Sequence, residues 1–195
     1  MTANQTDGRT DVGLLGPQRA ARRGLDDLIS GVRDAVNKRA DWKETAGLVA
    51  RELRRHLPAP EMVLTPEQRV GDPDSHQSHV LYVEPGGAFS IVGLVWRPGQ
   101  MTPIHDHVTW CVFGVLQGIE YEEIFTFDES GEYLVEAGDN SNDTGDISGF
   151  APPGDIHRVR NVGDGTAISL HIYGTDVSRI GSSVRRYYEL PIKSS

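Results

Sequence analysis

Apolar residues change their spacing once along the chain, and the change separates a helical part from a β-rich part. Leu25, Leu28, Ile29, Val32 and Val36 recur three and four apart, the signature of one face of an amphipathic helix. Asp41 followed three residues later by Glu44 is close to a capping box and announces a second helix. Its apolar face is Leu48, Val49, Leu53 and Leu57, and Pro58 and Pro60 end it. From about residue 78 short β-rich runs take over: HVLYV, FSIVGLVW, WCVFGVLQG, EYEEIFTF, EYLVEAG, AISLHIY and RYYELPI. Breaks such as EPGGA, RPGQ, DESGE, PPGD and VGDG separate them, the spacing of a β-sandwich or barrel. The pattern predicts a loose tail over residues 1–16 and a single domain over 17–195. Within that domain a helical pair (17–58) flanks a small β-barrel (about 78–192). Segment 139–149, DNSNDTGDISG, reads as a polar loop joining two halves of the β region.

Composition narrows the partners. The 28 acidic residues against 19 Lys and Arg leave a formal net charge of -9, so a surface for nucleic acid or anionic membrane is not expected. No stretch approaches the roughly 20 apolar residues of a membrane span, and the start, MTANQTDGRTDVG, lacks the apolar core of a signal peptide. A single cysteine cannot form an internal disulfide. The expectation is a soluble cytoplasmic protein whose one thiol, Cys111, serves local chemistry or packing.

Candidate chemistry concentrates in GQMTPIHDHVTWCVFGVLQG, residues 99–118. His105 and His107 stand at i and i+2, so on a strand both imidazoles leave the same face. A third, His157, follows a Pro-Gly turn in PPGDIHRVRN. Three neutral imidazoles converging in a barrel suit Fe, Zn, Cu or Ni. His56, His76 and His79 read first as ordinary structural histidines, Trp96 as core, and Asn161 as a turn cap. Asp106 points to the opposite strand face from its neighbours, and Pro103 shapes the approach to the first histidine.

These residues resemble the cupin superfamily. Gly99, five residues, His105-x-His107, three residues, a slot, six residues and Gly118 are similar to its first motif, and PPGDIHRVRN to its second. Most metal-binding cupins carry Glu in the slot, whereas here it is Cys111. That departure, together with Ser169, His171 and Tyr173 in SLHIY, resembles the thiol dioxygenase branch, typified by cysteine dioxygenase, over roughly residues 78–190. The resemblance implies a mainly β, jelly-roll cupin barrel with two N-terminal helices, acting as a monomer. It implies Fe(II) on His105, His107 and His157, and O2 addition to the sulfur of a small thiol to give a sulfinic acid. Three neutral ligands leave two positive charges on the iron, which a thiolate can offset. Tyr173 would face substrate or oxygen, oriented by His171 and Ser169 on the same strand face. A thioether between Cys111 and Tyr173, as in cysteine dioxygenases, stays open, because relatives with Gly in this slot work without one. The three-residue gap VTW and Trp110 resemble the bacterial 3-mercaptopropionate dioxygenases.

Substrate identity is less legible. Relatives that act on thiol carboxylates grip the acid with Arg or Gln on an early strand. The run HQSHVLY puts Ser78 or His79 there, with Gln77 beside it and no Arg. Gln77, His79 and Trp110 are the candidate substrate contacts. Candidate substrates are 3-mercaptopropionate, mercaptosuccinate, or a larger thioimidazole such as ergothioneine. The alternatives are another metal-dependent cupin enzyme (a carbon-substrate dioxygenase or isomerase) and a non-catalytic small-ligand cupin.

Overall fold

A computed structural model describes the backbone of residues 16–193 and the side chains from residue 25 onward. The expected tail lies outside the described residues apart from Gly16, with which the first helix opens. Helices α1 (Gly16–Val36) and α2 (Trp42–Arg55) pack together, followed by a single turn, α3 (Pro60–Val63). The Asp41 carboxylate caps α2 as expected, accepting from the Glu44 amide at 2.8 Å. Pro60 opens α3 at a position where its missing N–H costs nothing.

Eleven strands follow: β1 (Gln77–Val83), β2 (Ser90–Trp96), β3 (His105–His107), β4 (Cys111–Gln117), β5 (Ile119–Phe127), β6 (Leu134–Asp143), β7 (Ile147–Phe150), β8 (His157–Asn161), β9 (Ala167–Tyr173), β10 (Val184–Tyr187) and β11 (Ile192–Lys193). A short helix, α4 (Val177–Ile180), precedes β10. One sheet has the order β1-β2-β9-β4-β7 and the other β10-β3-β8-β5-β6-β11. The two sheets form the jelly-roll cupin barrel.

The helices cover the outer face of the five-stranded sheet, so β2, β4 and β9 are buried on both sides. That is why their sequences are continuous apolar runs rather than alternating ones. Along β9, Ile168, Leu170 and Ile172 pack against the helices with Leu28, Val32, Val49 and Leu53. Ala167 and Tyr173 face the barrel interior with Val92, Leu94, Trp96 and Cys111, and Ser169 and His171 share their parity. Gly114 in β4 lets α2 lie close: a Cβ there would stand 2.8 Å from Leu57 Cδ1 and 3.2 Å from Leu53 Cδ2.

Segment 139–149 is not the expected loop. β6 continues to Asp143 against β5, and after a turn β7 joins the opposite sheet beside β4. A ladder needs only backbone groups, and the side chains of β6 are almost all exposed, so its strand shows no apolar period.

Candidate metal centre

His105 and His107 leave β3 on the same side, and His157 stands directly opposite His105 on the neighbouring β8. All three are buried, and one ring nitrogen from each lies within 4.8 Å of the others. The opposite nitrogen of every ring is held. His105 Nδ1 hydrogen-bonds the Pro103 carbonyl at 2.9 Å, His107 Nδ1 the Asp155 carboxylate at 3.1 Å, and His157 Nδ1 the Glu122 carboxylate at 2.6 Å. Because the partners are acceptors, each Nδ1 carries the proton and each Nε2 keeps a bare lone pair for the shared centre.

Burial, and then the neighbouring imidazoles, push the His105 pKa down to about 3. Burial also lowers that of His107 against the pull of Asp155. The Glu122 carboxyl is driven up by its own burial but ends below its ordinary value, because His157 bonds it. Buried neutral imidazoles with oriented tautomers are the donor set that a divalent transition metal requires, and they fit it.

Glu122, on β5, and Asp155, two residues before His157, escaped the sequence reading. Each sits behind a histidine rather than among the converging donors. Glu122 could have been suspected from Glu120-x-Glu122 on a half-buried strand, where both carboxylates share the inward face.

Beside the three rings, Ser169, His171 and Tyr173 form a continuous chain. Ser169 Oγ lies 3.0 Å from His171 Nε2, and His171 Nδ1 lies 3.2 Å from the Tyr173 hydroxyl. Phe113 stacks on the His171 ring at 5.1 Å between centroids and fixes its plane. Burial holds His171 well below its ordinary pKa and lifts the Tyr173 phenol and Cys111 thiol well above theirs. Cys111 is the cross-strand partner of Tyr173, with Sγ 3.8 Å from His171 Nδ1, and it is not among the converging donors.

A cavity of about 220 Å³ opens onto the three histidines, with His171 and Tyr173 in its wall. The expected substrate contacts are not in that wall. Gln77 and His79 lie on the other face of β1, where His79 Nδ1 meets Gln68 Nε2 at 3.3 Å. The register of β1 turns Ser78 and Val80 to the cavity instead, and a one-residue offset exchanges the two faces. Trp110 is buried with the helical layer, its indole against Gly174, where any Cβ would collide with it. The indole that reaches the cavity is Trp96, stacked at 4.4 Å on His76, which also lines it. The sequence pattern predicts structural roles for both, and the structure places both in the cavity wall.

Two further residues sit as their sequence context predicts. Asp106 points away from the metal cluster and is bonded by Arg185 and by the Tyr188 hydroxyl at 2.9 Å. Asn161 closes the turn after β8, accepting from the Gly163 amide at 2.9 Å. No helix among the described residues is long and apolar enough to cross a membrane.

Several solved structures are similar in fold. Oxalate oxidase in complex with glycolate is 22% identical over 55% of this chain and 54% of that one, with a TM-score of 0.44. This chain thus spans about half of the oxalate oxidase chain. A cupin superfamily protein from Desulfitobacterium hafniense DCB-2 is 18% identical over 54% of this chain and 83% of that one, with a TM-score of 0.40. The capsular polysaccharide assembling protein CapF from Staphylococcus aureus is 15% identical over 62% and 33%, with a TM-score of 0.47. The sequence pattern of cysteine dioxygenase type I matches residues 70–186, which include the three histidines, Cys111 and the Ser169–His171–Tyr173 chain. With that match running over more than half of its length, the chain belongs to the cysteine dioxygenase type I family.

Proposed function

We propose that this protein is an Fe(II)-dependent thiol dioxygenase that converts a small thiol and O2 to a sulfinate and a proton. The observation that carries this reading is a three-imidazole centre sharing one cavity with Tyr173, while the nearby carboxylates Glu122 and Asp155 are engaged behind the imidazoles. A bound iron would supply open positions for thiolate and O2 and the electrons that activate oxygen.

The protein's own groups do the rest. His105, His107 and His157 would hold the metal through Nε2, leaving its charge to be offset by the anionic sulfur of the substrate. Tyr173 presents its hydroxyl at the cavity wall, raised in pKa and therefore protonated, as a hydrogen-bond donor toward the reacting atoms. Neutral His171 can donate from Nδ1 to the Tyr173 oxygen while accepting from Ser169 Oγ at Nε2, which leaves the phenol proton free to point into the cavity. Cys111, protonated and buried beside the same nitrogen, packs the base of this relay.

Oxygen uptake by anaerobically Fe(II)-loaded protein tests the reading against cysteine, 3-mercaptopropionate, cysteamine, mercaptosuccinate and ergothioneine. A sulfinate carrying both atoms of labelled O2 is the expected product. Tightly held Mn, Ni or Zn with no thiol-dependent oxygen uptake would overturn it in favour of another cupin chemistry.

A further inference from the structure

The cavity wall beyond the metal cluster carries no permanent charge. Among the described residues no Arg or Lys lines it. Of the arginines outside the wall, Arg185 is held by Asp106, Arg158 by Glu123 at 2.7 Å, and Arg97 reaches the Val70 carbonyl at 3.4 Å. Besides the three metal-site histidines the wall holds two imidazoles, His171 in its hydrogen-bonded chain and His76 stacked on Trp96, and burial lowers the pKa of both. Much of the remaining wall is apolar, with Val92, Leu94, Phe150 and Val177 facing the space in front of the histidines.

Away from the metal end of the cavity, a carboxylate or ammonium would lose its hydration without meeting a side-chain countercharge. An uncharged group would lose little and would gain contact with the apolar wall. Building on the thiol dioxygenase reading, we infer that the substrate is a thiol with an uncharged, largely apolar body, seated in the compartment bounded by the His76–Trp96 stack. Mercapto-acids and mercapto-amines are then poor ligands, and the absence of an early-strand Arg is a feature of specificity.

A matched pair of thiols isolates the charge: 3-mercaptopropionate and 3-mercaptopropionamide, with phenylmethanethiol as the apolar extreme. Affinity is read from the thiolate-to-metal absorption band of Co(II)-loaded protein, and kcat/KM from oxygen uptake by Fe(II)-loaded protein. The amide and phenylmethanethiol should bind about tenfold tighter than the acid, or more. Ser78→Arg, a change at an exposed position on the rim, should narrow or reverse the preference by supplying a guanidinium.

Equal or tighter binding of the acid, as would follow if its carboxylate also bound the metal, overturns the inference. With oxygen uptake intact, that result leaves the dioxygenase reading standing. A preference for the neutral thiols without oxygen uptake would do the reverse. No thiolate band with any of the three would overturn both.

Discussion

The Glu122 carboxylate accepts the Nδ1 proton of His157 at 2.6 Å, across 35 residues of sequence and between adjacent strands of one sheet. Both groups are nearly dry, so the bond orients the ring and makes its other nitrogen a better donor. Glu122→Gln keeps an acceptor oxygen in place but removes the charge. Metal affinity should fall about 10- to 100-fold, measured by competition with a chelating dye. Affinity within a factor of two of the parent would show that the charge contributes nothing to the site.

Tyr173→Phe removes only the hydroxyl 3.2 Å from His171 Nδ1 and leaves the three metal-site histidines untouched. The variant should load iron to the same stoichiometry and turn over about 10²-fold more slowly, the usual scale of a positioned proton donor. An unchanged rate would take Tyr173 out of the mechanism.

Cys111→Ala should retain the metal, since Sγ lies beside His171 rather than among the converging donors. Metal content per chain, measured on the purified variant, decides the point. Loss of metal would make Cys111 a ligand and the three-imidazole assignment wrong.

What the sequence made legible is what strand parity encodes. His105 and His107 at i and i+2, and Ser169, His171 and Tyr173 two apart, each share a face because β-strands alternate, and the structure brings His171 and Tyr173 to the same cavity as the metal-site histidines, with Ser169 bonded behind His171. Parity also explains the misses. Ser78 and Val80, not Gln77 and His79, turn to the cavity, and Trp96, not Trp110, reaches it, because register depends on loops that apolar spacing does not specify. Glu122 and Asp155 were invisible for another reason. Their partners are 35 and 48 residues away, and no short-range pattern announces such a pair.

Gly114 is a packing requirement that an apolar run conceals. Replacing it with Val would push branched carbons into Leu57 and Leu53 of the helical layer. The expected cost is about 1–3 kcal/mol of stability, read by urea denaturation, with the metal site keeping its affinity. A neutral effect would mean that α2 can move away from the sheet without loss.

Glu120 lies fully buried between the sheets, and no protein group hydrogen-bonds either carboxylate oxygen. Burial above all lifts its pKa from an ordinary 4.5 to about 7; the polar Ser169 and Trp96 side chains pull the other way and the Glu122 charge adds to the rise. Between those two values the folded protein keeps a proton that the unfolded chain has released. The contribution of this group to stability is therefore full below pH 4.5 and is lost as pH rises through about 7. By alkaline pH the loss approaches about 3 kcal/mol. Glu120→Gln removes the titration and leaves every other ionisable group in place. Denaturation of the two metal-free proteins at about pH 5, 6.5 and 8 should show the variant gaining on the parent as pH rises, by up to that amount. His171 and His107, whose lowered values favour higher pH, titrate in both proteins and cancel in the difference. Parallel pH profiles would show that Glu120 holds no proton beyond its ordinary range and that its charge is met inside the barrel.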